Sequence, residues 1–475
     1  MSRGRLVVHG HFYQPSRADP FTGIVPVDPT AAPAHDWTAR VTAECYRPNA
    51  ERGNFGLMSW DLGPTLASWL ERGDPIAYDG FVAGDRGSNG LAQPYHHTIL
   101  PLASAADRRT EVAWGLRDFE WRFGRPATGL WLPEGAVDVP TLRFAAERGV
   151  RHTILAPWQA GEMHVETRRP YRVDVGSGSS VVVAFYDGGL STAISFEPRA
   201  TTDADAFVAE RIEPRLASGA LPDDEPALVV IATDGELYGH HQPFRDLFLE
   251  RLLSPRSEAD QRGFDVVSLA QALAEISPGS LRTIRLAEGT SWSCHHGLQR
   301  WTGDCACGPD GRWKGPLRAA LDRLAAGIDA VTERILADRA PGLDPWAARD
   351  AYVDVVIGAE EPAAFAARWL DGGGSADPAT AASLLAIMEA QRWRLAMFAS
   401  DGWFWDDPAR PETASVLRAA ARAARLIDGQ VTGSGGLERR LVEDLALFTS
   451  PGHGTDGAEI YRLALTDVDQ PAFVG

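Results

Sequence analysis

The stretch LWLPEGAVDVPTLRFAAERGVRHTILA (residues 130–156) contains the signals for a strand, a helix and a second strand in succession. LWLPE predicts the first strand and HTILA predicts the second. Between them, Pro140 suits the first turn of a helix, and Gly149 suits the position just after the helix ends. The segment therefore predicts a βαβ unit, with Glu134 at the carboxyl end of its first strand.

The same alternation extends outward in both directions from this unit. RLVVHGH (residues 5–11) predicts the opening strand, while SSVVVAFYD (179–187) and ALVVIATDGE (227–236) predict later ones. Continuous β-branched runs of this kind are typical of strands buried on both faces of a parallel sheet. Because ligands meet parallel sheets at the carboxyl ends of the strands, the polar residues at these ends indicate a site.

After residue 314 the amino-acid composition changes, and long segments rich in alanine and arginine follow. They predict helices, and we interpret this region as a helical domain packed on the α/β part. We predict a catalytic domain at residues 1–312 and a helical domain at residues 313–475. The helical segments are residues 316–340, 344–358, 378–400 and 412–428.

Composition excludes several classes of function. The formal charge of −18 disfavours nucleic acid and anionic lipid surfaces as partners. No apolar run approaches the roughly 18 residues of a membrane span, and the apolar run near the N-terminus is too short for a secretory signal. Four cysteines are too few for a disulfide scaffold, so we expect a cytoplasmic protein.

Two acidic residues at predicted strand ends suit the cleavage of glycosidic bonds. That chemistry needs one carboxyl group to protonate the leaving oxygen and a second to attack or to activate water. Glu134 in LWLPEGAVD and Asp234 in IATDGELYGHHQP are candidates on different strands. Turn chemistry alone could also put acids and glycines at such junctions. The histidines close to both the first strand and Asp234 favour a site.

Four segments, in this order, resemble the ordered motifs of glycoside hydrolase family 57. They are HGHFYQP (9–15), WLPEGAVD (131–138), TDGELYGHH (233–241) and SDGWFWDD (400–407). The resemblance implies an incomplete (β/α)₇ barrel followed by a helical domain that covers the cleft. It also implies retaining action on α-glucans or maltooligosaccharides, as an amylase, a branching enzyme or a 4-α-glucanotransferase.

Carried over position by position, the resemblance assigns Glu134 as the nucleophile and Asp234 as the acid/base. In a retaining enzyme the two carboxyl groups lie about 5–5.5 Å apart, and the acid/base must hold a proton at the start. We expect burial or the charge of Glu134 to raise the pKa of Asp234. Further candidates for substrate binding are His9, His11, Trp131, Glu236, His240, His241, His97, Trp301, Trp403 and Trp405.

The chain departs from the family pattern in two places. GNFG (residues 53–56) lacks the acid that follows the glycine–amide pair of the second motif, and Gly402 is an extra residue in the fifth. Both departures concern how the sugar is bound beyond the point of cleavage. They favour a branch of the family distinct from the standard amylases.

Two other functions remain open at this stage. His9, His11, Asp234 and His240 could form a nitrogen and oxygen metal site, as in a metal-dependent polysaccharide deacetylase or an α-mannosidase-like hydrolase. The departures also permit a barrel that binds saccharides without turnover. The leading hypothesis needs no cofactor and no metal. The sequence leaves the oligomeric state open.

SCHHGLQRWTGDCACG (residues 293–308) gathers three cysteines and two histidines within a short span. Three thiols and one imidazole could hold a structural zinc ion, although the C-x-C spacing is tighter than the usual one. Reduced, packed cysteines are the favoured interpretation. We therefore assign no metal site from the sequence.

Overall fold

The computed structural model of the protein describes residues 4–217, 221, 226–254, 263–370, 377–431 and 436–466. The chain forms two compact units. The first comprises Met1–Gln14, Val27–Tyr95 and Phe119–Ser293, and the second comprises Pro15–Pro26, His96–Asp118 and Cys294–Gly475. The domain limits of 1–312 and 313–475 stay a prediction.

The described residues of the first unit form nine β-strands. They are β1 (Gly4–Phe12), β2 (Ser59–Leu62), β3 (Gly90–Leu91), β4 (His152–Leu155), β5 (Tyr171–Gly176), β6 (Ser179–Phe185), β7 (Leu228–Asp234), β8 (Phe264–Val266) and β9 (Arg282–Thr283). One sheet has the order β3-β2-β1-β7, in which each neighbouring pair is parallel, and β8 pairs with the start of β1. A second sheet has the order β4-β6-β5-β9.

Two isolated bridges join these sheets into an open barrel. Leu130 pairs with Ala92 just after β3, and Gly129 pairs with His152 at the start of β4. The barrel positions are therefore β1, β2, β3, residues 129–130, β4, β6 and β7. Between β6 and β7 the backbone N–H of Asp187 donates to Val230 O at 2.7 Å. The predicted α/β fold, an incomplete (β/α)₇ barrel, is confirmed.

The predicted strand at residues 130–134 is much shorter in the structure. Only Gly129 and Leu130 form bridges, and a 3₁₀ turn follows at Pro133–Gly135. Proline has no N–H to donate to a ladder, and Glu134 has a φ of 56°, which no strand residue adopts. The other predicted elements of this unit form, including the helix Val139–Glu147 with Pro140 in its first turn.

Alternation along β1 separates the core of the first unit into two sides. Leu6 and Val8 pack with the side chains of surrounding helices, whereas Val7 packs with Trp131 and the residues of β4 and β7. Because side chains alternate along a strand, His9 and His11 share the side of Val7. The α-helices of this unit are Trp37–Val41, Arg47–Glu51, Pro64–Gly73, Pro75–Gly84, Val139–Glu147, Gly188–Phe196, Ala204–Phe207, Glu213–Ala217, Arg245–Leu253 and Leu269–Ala274.

The second unit is helical, as predicted for the C-terminal region. Its long helices carry alanines that allow close packing, and one of the four predicted segments divides into two short helices. The helix Ala105–Phe123 begins in this unit, and its last residues belong to the first unit. The other helices are Lys314–Arg339, Pro345–Ala351, Val353–Val356, Pro362–Leu370, Pro378–Ala396, Asp401–Phe404, Pro411–Asp428, Leu437–Leu445 and Gly457–Thr466. Among the described residues, no helix has the combination of length and hydropathy that crossing a bilayer requires.

Candidate active site

A row of polar side chains crosses the carboxyl ends of three neighbouring strands. His11 on β1 is in register with Asp61 on β2 and with Asp234 on β7. His9 Nε2 and His11 Nδ1 donate to the two carboxylate oxygens of Asp61, each at 2.8 Å, and the Gln93 amide donates to the same carboxylate. An ionised carboxylate only accepts hydrogen bonds, so these ring nitrogens carry their protons.

The pairing with Asp61 sets the charge of His11. Burial opposes a charged imidazole, but the carboxylate of Asp61, with smaller contributions from Asp234 and Glu236, raises the pKa of His11 to about 9. Burial likewise opposes the charge of Asp61, and His11 and His9 outweigh it, so the pKa of Asp61 lies below its usual range. At neutral pH the site therefore holds an imidazolium–carboxylate pair.

Trp131 supports this pair from within the barrel. Its ring stacks on His9 with centroids 4.9 Å apart and on His11 at 5.2 Å. Trp131 is 1% exposed and His9 is fully buried, whereas His11 retains 7% of its surface. In the structure Trp131 and His9 hold His11 and Asp61 in place, and their predicted role in substrate binding stays a prediction.

Asp234 ends β7 and is accessible to water, although protein surrounds it closely. Burial raises the pKa of its carboxyl group; His11 and His241 oppose the rise, and Asp61 adds to it. Of the two causes expected from the sequence, burial is therefore the one that raises this pKa, and the acidic neighbour that adds to it is Asp61. Glu236 is buried and accepts a hydrogen bond from the Tyr46 hydroxyl. Burial and the charge of Asp234 raise the pKa of Glu236 to about 7.

Gly235, between these two acids, is required by close packing. A Cβ at this position would lie 2.2 Å from the ring of Phe12. The chain can therefore turn from β7 into the 3₁₀ turn Gly235–Leu237 only with glycine here. The turn separates the two carboxyl groups, leaving Asp234 open to water and Glu236 enclosed.

Glu134 lies in a strained turn after the fourth barrel position. Its φ of 56° is uncommon for a residue with a Cβ. The backbone N–H of Trp292 donates to Glu134 O at 2.9 Å, and the Ser293 hydroxyl donates to Glu134 Oε2 at 2.7 Å. Non-glycine residues in this conformation concentrate at functional sites, where the surrounding structure imposes the geometry. The 5–5.5 Å separation between Glu134 and Asp234 stays a prediction.

Aromatic side chains continue the site beside His11. The ring of Trp292 meets Trp131 edge-on at 4.8 Å and His11 at 6.0 Å, and Tyr186 lies 6.4 Å from Trp292. Trp292 is partly exposed, so part of its ring can meet a ligand.

The sequence reasoning missed several residues of this site. Asp61 is the third residue of a strand of only four, and a single acid there gives little signal, although the following Gly63 and Pro64 mark the strand end. The others lie in loops or in a helical segment that no motif marks. They are Tyr46, Gln93, Trp292 and Ser293.

The two histidines after Glu236 have different surroundings. His240 pairs with Glu44 and meets the ring of Trp37 edge-on at 6.0 Å. His241 keeps part of its surface in contact with water. The protein around its ring and the charge of His240 lower its pKa, and the charge of Asp234 partly offsets this lowering. Of the two, His241 is the one with an electrostatic effect on Asp234.

The remaining predicted residues belong to the second unit. His97 is buried and pairs with the Ser400 hydroxyl at 2.8 Å. Trp301 and Trp403 are at most 1% exposed, whereas Trp405 is 43% exposed. Of the three tryptophans, Trp405 is the exposed one, and the Arg410 guanidinium lies over its ring, 4.4 Å from the centroid. Trp405 lines a cavity with Cys305 and Cys307.

The geometry disfavours a metal at the H-x-H pair. The nitrogens of His9 and His11 that face Asp61 are already used in the two hydrogen bonds to it. Within the described part of the chain, the group of histidine, cysteine and acidic residues whose ligand atoms all lie within 4.8 Å of one another is Cys294, His296, Cys305 and Cys307. It lies in the second unit.

The barrel, its carboxylates and its aromatic side chains define a carbohydrate-active enzyme of the glycoside hydrolase class. Residues 90–285 match the family described as glycosyl hydrolase family 57, and residues 310–469 match a domain of unknown function, DUF3536. The resemblance to glycoside hydrolase family 57 that the ordered motifs predict is confirmed over residues 90–285. No sequence among the curated proteins matches this chain.

Solved structures share the fold at low identity. An exo-type maltose-forming amylase from Pyrococcus sp. ST04 has a TM-score of 0.72 at 16% identity, over 97% of this chain and 88% of that one. The amylase AmyC of Thermotoga maritima gives 0.60 at 12%, over 98% and 99%. A branching enzyme from Thermococcus kodakaraensis gives 0.57 at 18%, over 93% and 94%.

Proposed function

We propose that the protein cleaves or transfers α-glucan chains with retention of configuration. Glu134 acts as the nucleophile and Asp234 as the acid/base. The observation that carries the proposal is the state of Asp234: it ends a barrel strand within reach of water, yet burial raises the pKa of its carboxyl group. A general acid needs this combination of access and a retained proton.

In the first step Glu134 attacks the anomeric carbon while Asp234 protonates the departing glycosidic oxygen. The carbon–oxygen bond to the leaving sugar breaks, and an ester bond to Glu134 forms. The Ser293 hydroxyl donates to Oε2 of Glu134 at 2.7 Å and thereby orients the carboxylate for the attack.

In the second step Asp234 acts as a base. It removes a proton from water or from a sugar hydroxyl, which attacks the anomeric carbon and releases Glu134. Formation of the ester removes the charge of Glu134, and the neighbouring His11 imidazolium favours the ionised form of Asp234. The alternating charge of the two acids therefore matches the two steps.

His11 and Trp292 would contact the sugar nearest the bond that is cleaved. The charged ring of His11 can donate to sugar hydroxyls, and a partly exposed tryptophan can pack on the apolar face of a pyranose. In the second unit, the exposed Trp405 is a separate candidate for contact with a saccharide. α-Glucan as the substrate class is supported by the motifs and by the similar structures, which are two amylases and a branching enzyme.

Azide rescue tests the two roles separately. With α-maltosyl fluoride as substrate, Glu134→Gly plus azide should give a β-glycosyl azide, because azide replaces the nucleophile on its own face. Asp234→Ala plus azide should give an α-glycosyl azide, because azide attacks the ester formed on Glu134. Glycine suits position 134 because it tolerates a φ of 56° without strain.

The matched controls are Glu147→Gln and Asp79→Asn, which change exposed acids of the same unit. Both should retain wild-type turnover on maltooligosaccharides. The opposite pair of azide anomers would exchange the two roles, and full activity of either site variant would remove that carboxylate from the mechanism. A wild-type protein that binds the sugars without cleaving them would favour the non-catalytic barrel.

Product analysis distinguishes hydrolysis from transfer. Incubation with a single maltooligosaccharide, followed by NMR of the products over time, would give shorter chains for an amylase and both longer and shorter chains for a 4-α-glucanotransferase. New branch points would identify a branching enzyme.

A further inference from the structure

Four side chains of one loop direct metal-binding atoms at a common point. The ligand atoms of Cys294, His296, Cys305 and Cys307 all lie within 4.8 Å of one another. Cys294 Sγ is 3.5 Å from Cys305 Sγ and 3.4 Å from Cys307 Sγ. His296 Nδ1 is 3.1 Å from Cys307 Sγ and 3.6 Å from Cys305 Sγ. All four belong to the second unit.

We propose that this group binds a structural zinc ion through three thiolates and one imidazole. In a tetrahedral site with zinc–sulfur bonds of about 2.3 Å, neighbouring sulfurs lie about 3.8 Å apart. The observed sulfur spacing is close to that value and far beyond the roughly 2.05 Å of a disulfide bond. Four protein ligands complete the tetrahedron, which is typical of structural and not of catalytic zinc.

The backbone explains how a C-x-C spacing suffices. Each arm of the loop repeats one pattern, ligand-x-ligand-Gly, as Cys294-His295-His296-Gly297 and as Cys305-Ala306-Cys307-Gly308. In the first arm, Gly297 N donates to Cys294 O at 3.1 Å; in the second, Gly308 N donates to Cys305 O at 3.2 Å. Each turn points two ligands in one direction.

The connection between the two arms is itself ordered. It contains the 3₁₀ turn Gln299–Trp301, and the Gln299 amide donates to Asp304 O at 2.7 Å. The carboxylate of Asp304 accepts from Gly311 N at 2.9 Å. Cys294 and Cys305 are buried and Cys307 and His296 are exposed, so an ion can enter from one side.

The surroundings suit the charge of the complex. Three thiolates and one Zn²⁺ carry a net charge of about −1. Arg300 and Lys314 line the same cavity as Cys305 and Cys307 and supply positive charge beside it. Trp405 lines that cavity too, so zinc would fix the loop that forms one of its walls.

Metal content tests the proposal without any measurement of sugar turnover. The purified chain, supplied with zinc under reducing conditions and then desalted, should retain about one zinc per chain by elemental analysis. His296→Ala and Cys305→Ser should lose most of it. His295→Ala is the matched control, because this exposed neighbour lies outside the four ligands, and it should keep the wild-type content.

Cobalt substitution provides a second readout. Co²⁺ in the wild-type site should show strong thiolate-to-cobalt charge-transfer absorption and the visible bands of a tetrahedral site, and Cys307→Ser should weaken the charge transfer. Less than about a tenth of a zinc per wild-type chain would overturn the proposal, and so would equal content in the His295 and His296 variants. A disulfide among the three cysteines in the reduced-and-purified chain, or iron in place of zinc, would also overturn it.

Discussion

Asp61 and Asp234 flank His11 in one row at the rim of the barrel, yet their carboxyl groups are driven toward opposite protonation states. Burial opposes the charge of both. Asp61 accepts hydrogen bonds from two imidazoles, which lower its pKa, whereas no hydrogen bond from a described residue reaches the carboxylate of Asp234, and its pKa is raised. The comparison shows that the donors around a buried acid, and not its depth alone, decide its charge.

The largest expected effect is on turnover in Asp234→Asn. Loss of the acid/base should lower kcat by about 100- to 10,000-fold on natural substrates. Because the raised pKa means that the folded state binds the proton more tightly, the wild type loses stability as pH rises above the unfolded value of about 3.9. The thermal midpoint of the variant should therefore exceed that of the wild type increasingly from pH 4 to pH 8. A parallel pH dependence in the two proteins would contradict the raised pKa.

Asp61→Asn should have the next largest effect, this time on stability. Breaking a buried charge pair costs about 3–5 kcal/mol. Asp61 stabilises the fold at pH values above the pKa that it has in the unfolded chain. The contribution of His11 is complete below its unfolded pKa of about 6.5 and is lost as the pH rises through its folded pKa of about 9. We therefore expect the loss in chemical denaturation to be greatest near pH 5–6 and to shrink toward pH 9.

Asp265→Asn serves as the control for that variant. Asp265 on β8 pairs at 2.8 Å with Arg5 at the start of β1, and both side chains are partly exposed. A pair of this kind contributes about 1 kcal/mol or less. Equal losses of unfolding free energy in the two variants would show that the buried pair contributes no more to stability than the partly exposed pair.

Tyr46→Phe should have a smaller effect that depends on pH. The Tyr46 hydroxyl donates to Glu236, so its removal should raise the pKa of Glu236 above about 7. The variant should lose about 1–3 kcal/mol of stability, chiefly above pH 7, where the carboxylate would be ionised. Titration of Glu236 by carbon NMR would measure the shift directly. Tyr461→Phe, which removes a tyrosine–glutamate bond in the helical unit, should leave that titration unchanged.

The smallest expected effect is that of Ser293→Ala. Loss of its hydrogen bond to Glu134 should cost about 1 kcal/mol, or a few-fold in kcat, with KM little changed. Steady-state kinetics on a maltooligosaccharide would measure it. Ser415→Ala, at a helix of the second unit, is the control and should match the wild type.

Much of the barrel could be predicted because its signals are local. Apolar runs marked β1, β4, β6 and β7, and Pro140 and Gly149 marked the ends of the intervening helix. The short strands β2 and β3 gave no such signal, because they depend on pairing with β1 and with each other more than on their own residues. The length of the strand before Glu134 was overestimated because it, too, depends on pairing with its neighbours more than on its own residues.

The candidate site, like the barrel, was predicted from the sequence only in part. The ordered motifs in the sequence predicted the resemblance to family 57 and the two carboxylates proposed for catalysis, and the sequence drew attention to the cysteine loop without assigning a metal site to it. Only the tertiary structure decided the charges: Asp61 lies 50 residues from His11 and Asp234 lies 223 residues from it, yet β-sheet register brings all three into one row. A pKa depends on burial and on neighbours from other strands, and that information exists only once the chain has folded.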